Sequence, residues 1–289
     1  MELGVTAVML PEIGFEEQIA LCVSLGIRYY QIRPRVIPPG QRGKPYSCWG
    51  NHSFDLTPEQ LLSDGQEIAS RLGRAGLAPR GTLPQISAAD PDETILLHLR
   101  GAAAAGAGRM RLSPPPYPAG AFDYRAWLES AIDRYEHVVG RLARPLGIRL
   151  LVETHAGGAA SSPGLAWNIV ERFDPADMGV IFDLGNFARE GEVAPGLAVS
   201  VLCHWIDCVH VGGSRRAEAG DDELGCRRVV AETCPPQESD LHLPSWLSAL
   251  RDAGLDPPLI IEDFSSKETG PAKLVRDAFL LRRLAQGLR

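Results

Sequence analysis

Four residues with ionisable, metal-ligating side chains stand at or near the ends of four short apolar runs: Glu153 after Leu150-Leu151-Val152, Asp183 after Val180-Ile181-Phe182, His210 after Val209, and Glu262 after Leu259-Ile260-Ile261. A buried apolar run that ends in a charged residue directs that residue out of the core, into the mouth of whatever the strands enclose. Taken singly, each is an ordinary helix cap or ion-pair partner. Four on consecutive strands, at a matching height, form a pattern. Three carboxylates and an imidazole brought together would repel one another and be costly to desolvate without a neutralising cation. A divalent metal ion resolves that conflict. Three oxygens and one nitrogen, with no thiolate, suit Mn²⁺, Mg²⁺ or Co²⁺ and are compatible with Zn²⁺ or Fe²⁺.

The elements that must position these residues alternate along the whole chain. Strand candidates fall at 4–10, 28–33, 78–83, 109–112, 148–154, 179–183, 208–211 and 259–263, with helical periodicity near 15–25, 58–76, 91–106, 123–146, 163–172, 196–205, 245–253 and 270–286. Thr57-Pro58-Glu59-Gln60 reads as a capped helix start with a proline in the first turn, and Gly26, Gly76 and Gly254 as helix stops. Eight β-α units without a long linker predict one (β/α)8 barrel, a single domain over 1–289. An open doubly wound sheet would want a glycine-rich turn after its first strand, and Leu10-Pro11-Glu12-Ile13-Gly14 is not one. Two stretches break the rhythm, 34–58 and 214–243, and are expected to be long loops on the C-terminal face, where barrel enzymes keep their active sites.

Other candidates for the mouth come from strand two and these loops. Gln31 and Arg33 alternate on strand two and could both reach a substrate, although Arg33 could equally pair with a structural carboxylate. Trp49 and His52 read either as a lid stacking on a sugar ring or as packed loop anchors. His155, two residues beyond Glu153, faces the mouth or else fixes the glycine-rich segment that follows it.

With 29 basic and 36 acidic side chains and a net charge of −7, the chain has no basic surplus to attract a nucleic acid. Its 45% apolar and 22% charged residues are those of a folded globule. The six cysteines contain no C-x-x-C pair, and free thiols are expected throughout, Cys226 and Cys234 included. No basic leader and no apolar stretch of membrane-spanning length is present, so a cytoplasmic location without membrane association is expected.

The pattern Glu153, Asp183 with a polar residue at +3, His210 and Glu262 resembles the xylose isomerase-like TIM-barrel superfamily, whose members include sugar isomerases and epimerases, inosose dehydratases and an endonuclease branch. The resemblance implies one divalent ion on the four ligands and a small carbohydrate as substrate. It also implies Glu153 and Glu262 as the acid and base on opposite faces of the reacting carbon, and a dimer or tetramer. Returning the abstracted proton gives isomerisation or epimerisation; losing a β-oxygen gives a dehydratase or lyase. It implies a substrate arginine at Arg216 and a polar contact at Asn186. The departures are equally definite. The usual Asp-x-x-His ends here in Asn186, His-x-Lys-Asp is His210-Val-Gly-Gly213, the frequent strand-two Glu is Gln31, and a second Glu of ketose 3-epimerases is Ala159. A barrel that only binds sugars is the non-enzymatic alternative. The endonuclease branch needs further histidines for a trinuclear zinc site, and this chain has seven in all.

Overall fold

The computed structural model describes residues 1–191 and 193–287; residues 192, 288 and 289, the last two at the end of the expected domain, lie outside the described residues. The strands are β1 (Leu3–Thr6), β2 (Tyr29–Ile32), β3 (Ala78–Thr82), β4 (Arg109–Arg111), β5 (Arg149–Glu153), β6 (Met178–Asp183), β7 (Ile206–Val211), β8 (Gly213–Asp221), β9 (Arg227–Cys234) and β10 (Leu259–Ile261). The helices are α1 (Phe15–Ser24), α2 (Pro58–Arg74), α3 (Asp92–Ala104), α4 (Tyr124–His137), α5 (Pro163–Val170), α6 (Leu184–Glu190), α7 (Pro195–Leu202), α8 (Leu243–Asp252) and α9 (Gly270–Gly287). Eight parallel strands close into a barrel in the order β1-β10-β7-β6-β5-β4-β3-β2, as the alternation predicts. The start of α2 is a reciprocal cap: Thr57 Oγ1 accepts from the Gln60 amide (3.1 Å), and Gln60 Oε1 accepts from the Thr57 amide (2.8 Å).

Strand periodicity builds the site in layers. Val152, Val180, Val209 and Ile261 face outward into the large core beneath the helices, whereas Leu83, Leu151, Ile181, Cys208 and Ile260 form a separate small cluster inside the barrel. Two residues further along their strands from Leu151, Ile181, Cys208 and Ile260 stand Glu153, Asp183, His210 and Glu262. The register brings Asp183 beside His210, and the amide of Glu262 donates to Val211 O (3.0 Å). The apolar layer is therefore the floor on which the four polar residues stand.

At the opposite end of the barrel, the buried carboxylate of Asp207 accepts contacts from Arg109 Nε (2.6 Å), Arg149 Nη1 (2.7 Å) and Arg80 Nη2 (3.1 Å). A second buried network joins β10 to α9, where Arg276 contacts Asp263 and Asp277, and Lys273 Nζ donates to the carbonyls of Asp263 and Ser265 (both 2.9 Å).

The structure adds the short helix α6, which the alternation does not predict, and departs from the sequence expectation in three further places. The first strand ends at Thr6; Ala7–Met9 form a buried 3-10 turn, so this stretch is apolar because it is enclosed. The helix expected over 123–146 is α-helical only to His137, then widens to a π-helical turn (Val138–Ala143) and tightens to a 3-10 turn (Arg144–Leu146) at Pro145, which has no amide hydrogen to continue the ladder. The segment 214–243 is largely an antiparallel hairpin, β8 with β9, turning at Gly225 (φ +76°), where Asp222 Oδ1 accepts from the amides of Leu224 (2.9 Å) and Cys226 (2.8 Å). The 34–58 segment is a loop, as expected, tied by Arg35 and Leu56 through paired backbone hydrogen bonds of 2.7 and 2.8 Å.

Candidate metal centre

Glu153, Asp183, His210 and Glu262 are all buried, and one ligand atom from each lies within 4.8 Å of all the others. His210 Nδ1 faces the three carboxylates, 2.7 Å from Glu262 Oε2, 3.4 Å from Glu153 Oε1 and 3.8 Å from Asp183 Oδ2. Its other nitrogen, Nε2, lies 2.9 Å from Gln31 Oε1, while the Gln31 amide nitrogen points to Cys208 Sγ at 3.6 Å. Because Gln31 Oε1 can only accept, Nε2 carries a hydrogen; in the ion-free cluster Nδ1 donates to Glu262, and loss of that proton would turn an Nδ1 lone pair toward the cluster. Asp183 divides its oxygens: Oδ1 accepts from the Asn186 amide (2.8 Å) and so starts α6, leaving Oδ2 toward His210. These donors, enclosed and turned inward, fit a divalent ion.

The electrostatics of the free cluster agree. Burial opposes charge on His210, but Glu262, with Asp183 and Glu153, reverses this and raises its pKa well above the usual imidazole value. Burial pushes Asp183 up to about 6, with the Glu153 and Glu262 charges adding to the effect. Burial also works against ionised Glu153, yet Arg111 foremost, then His210, hold it well below the usual carboxylate range. A dication bound there would displace the protons on His210 and Asp183. Affinity is therefore expected to rise with pH from about 5.5 to 7.5 by about tenfold or more, checked by calorimetric titration with Mn²⁺ at both pH values.

The sequence-predicted substrate residues divide into two groups. Arg33, Trp49, His155 and Asn186 line the pocket above the cluster, an opening with about 680 Å³ of empty space. Arg33 stacks on the Trp49 ring (5.2 Å), which in turn packs on Phe264 (5.0 Å between centroids). Gln31, His52 and Arg216 do not line it. Gln31 lies behind His210, as described. His52 is pinned inside its own loop, Nδ1 to Gly50 O (2.9 Å) and Nε2 beside Asp55 Oδ1 (2.7 Å), which makes it an anchor of the 34–58 segment. Arg216 sits on the hairpin, its side chain 58% exposed and its amide donating to Asp240 Oδ2 (2.7 Å); pairing with β9 carries it away from the mouth. Replacing Gln31 by leucine is expected to cost about 10–100-fold in Mn²⁺ affinity, while Gln31→Glu, which keeps an acceptor there, retains binding; calorimetry separates the two.

Sequence reasoning missed Arg111. On β4 it reaches Glu153 Oε2 through Nη1 (2.6 Å) and the Pro84 carbonyl through Nη2 (2.9 Å), and it lines the pocket. The signal was present in Arg109-Met110-Arg111, whose alternation turns both arginines off the face that carries buried Met110. Arg189 of α6 and Ser214 and Thr233 of the hairpin also line the opening. The departure at Gly212 has a steric reason, since a Cβ there would stand 2.6 Å from the Glu262 carbonyl oxygen.

A family model described as a xylose isomerase-like TIM barrel matches residues 19–284. No curated protein matches the chain significantly. Several solved structures share its fold over nearly the full length of both chains. The IolI protein with a bound zinc atom superposes with a TM-score of 0.71 at 15% identity, covering 100% of this chain and 99% of that one. AsbF of Bacillus anthracis, described as a probable 3-DHS dehydratase, gives 0.70 at 13%, covering 97% and 99%. An L-ribulose 3-epimerase gives 0.66 at 14%, covering 99% and 97%. At these identities the superpositions speak for the fold alone.

Proposed function

We propose, because the chain belongs to the xylose isomerase-like TIM-barrel family, that it is a divalent-metal-dependent isomerase or epimerase of a small carbohydrate or keto-sugar derivative. The observation that carries this reading is the buried convergence of Glu153, Asp183, His210 and Glu262 at the C-terminal end of the barrel. These four residues would hold the ion, and Mn²⁺, Mg²⁺ or Co²⁺ suits their hard oxygens best; when bound, such an ion supplies Lewis acidity that polarises a substrate oxygen and acidifies the adjacent C–H.

The residues around it divide the remaining work. Glu262 lines the pocket and has no guanidinium partner among the described residues, so its carboxylate is the group that takes up and returns the proton. Glu153 lies under Arg111 and is held anionic, which fits a ligand better than a proton carrier. Trp49 and Phe264 wall one side of the opening with aromatic surface. His155 is exposed at the rim, within reach of a substrate hydroxyl.

The Arg111 clamp favours a second reading, a dehydratase or β-eliminating lyase on an inosose or 3-keto-glycoside. Epimerisation wants a working acid on each face of the carbon, whereas elimination and proton transfer to a neighbouring carbon need one mobile base. Incubating the metal-loaded protein in D₂O with ketoses, inososes and 3-keto-glycosides tests both. Deuterium gained with the substrate skeleton intact supports the isomerase or epimerase; loss of water or of an aglycone supports the lyase. Neither change across the panel, with metal bound, would leave a barrel that binds sugars without turning them over.

A further inference from the structure

The partly buried arginines of this chain show what polar partners look like: Arg80, Arg109 and Arg149 share Asp207, Arg276 contacts Asp263 and Asp277, Arg111 grips Glu153, and Arg35 and Arg134 reach backbone carbonyls. Arg33 is different. It is only 5% exposed, makes neither a hydrogen bond nor an ion pair among the described residues, and is held by its stacking on Trp49, with its guanidinium on the wall of the metal-site pocket. Burying a cation without a counter-charge is costly, and a structural arginine at this position would have been given a carboxylate or a set of carbonyls. Glu262 and Glu153 in the cluster below act favourably on its charge from a distance, but neither touches the guanidinium, and both are also ligands of the proposed ion. With a dication in place and His210 neutral, Glu153, Asp183, Glu262 and Arg111 would leave the centre balanced; of the two further guanidinium groups on the pocket wall, Arg189 is exposed to water and Arg33 is buried, so the desolvated positive charge in excess is that of Arg33.

We propose that the substrate of this site is an acid, and that Arg33 is the residue that receives its carboxylate, with Trp49 holding the guanidinium plane in place. The inference rests on the metal-dependent reading above, since the ion sets the charge balance. A single planar fork matches a planar carboxylate, whereas a tetrahedral phosphate would ask for donors from several sides. The substrate class narrows accordingly from neutral sugars to polyhydroxy or keto acids, whose oxygens face the cluster while the carboxylate lies against Arg33. Burial foremost, with Arg111 adding to it, lowers the Arg33 pKa to about 10, which still leaves the group cationic at neutral pH.

The test uses manganese-loaded wild-type protein and the variants Arg33→Met and Arg33→Lys, probed by calorimetry and thermal unfolding with D-gluconate against D-glucitol, D-glucuronate against D-glucose, and D-glucose 6-phosphate. An acid is expected to bind wild-type protein at least tenfold more tightly than its neutral partner. Arg33→Met is expected to lose that preference while keeping its metal content and unfolding at no lower temperature than wild type, and Arg33→Lys to keep part of it. Because Arg33→Met retains all four metal ligands, chelation by the acid alone cannot mimic the result. Equal binding of acid and neutral partner, binding of neither, an acid preference that survives Arg33→Met, or a preference for the phosphate over both carboxylates would each overturn the proposal. Should wild-type protein take up no ion, the metal-dependent reading fails, and with it the charge balance on which this inference rests; the metal content of the same samples tells that failure from a failure of the acid preference alone.

Discussion

Replacing Glu262 by glutamine is expected to lower the rate of proton exchange by about 10²–10⁴-fold, the range that a positioned general base contributes. The substitution keeps the shape of a side chain that is 8% exposed but removes its charge, its capacity to hold a proton and part of its hold on the ion, so exchange is compared at saturating Mn²⁺. His210 Nδ1 now lies 2.7 Å from Glu262 Oε2, and the glutamine oxygen can take up the same contact, so the fold is expected to survive. The matching change at Glu153 has a different signature. It leaves Arg111, now 2.6 Å from Glu153 Oε2, without a counter-charge in a buried setting, and thus costs stability as well as activity. Deuterium incorporation measured beside thermal unfolding separates the variants: Glu262→Gln loses turnover with little change in Tm, Glu153→Gln loses both. Equal exchange rates in Glu262→Gln and wild type would remove Glu262 from the chemistry.

The largest effect on stability is expected far from the site. Asp207 is completely buried and is the shared partner of Arg80, Arg109 and Arg149 at the N-terminal end of the barrel. Asp207→Ala leaves three guanidinium groups facing one another with nothing between them, and breaking a buried ionic cluster in this way costs about 3–5 kcal/mol. At about 2 °C or more per kcal/mol for a chain of this size, Tm is expected to fall by about 10 °C. Because the apolar layer of Leu151, Ile181, Cys208 and Ile260 separates this cluster from the metal ligands, the folded fraction is expected to bind Mn²⁺ as wild type does. Calorimetric unfolding and metal titration of the same variant check both halves.

What the sequence made legible follows from how local each signal is. Strand and helix succession is written in short-range periodicity, and Thr57-Pro58-Glu59-Gln60 marks a helix start by itself, so the barrel and the four residues that converge in its mouth could be read from single strands. The ligands in particular announce themselves because each follows an apolar stretch on its own strand. Arg111 does not: its partner Glu153 is 42 residues away, and only closure of the barrel makes the two meet. The Asp207 cluster joins four strands and was equally invisible. Gln31 stood at the right place for the wrong reason, since the alternation of β2 identified a side chain near the mouth but not that His210 lies between it and the pocket. Arg216 is a candidate through the resemblance alone, and the structure sets it on β8 outside the pocket lining; the β-branched Val229-Val230 and the turn at Asp222–Gly225 are the hairpin signals in 214–243.

The central claim is that four side chains from β5, β6, β7 and the end of β10 form one divalent-metal site. Elemental analysis of untagged protein, reconstituted with Mn²⁺ and then desalted, tests it most directly when wild type is measured beside Asp183→Asn and His210→Ala. About one ion per wild-type chain, falling to a small fraction in each variant while the variants remain folded, is the predicted result. No stoichiometric ion in wild type, or an ion that persists in both variants, would contradict it.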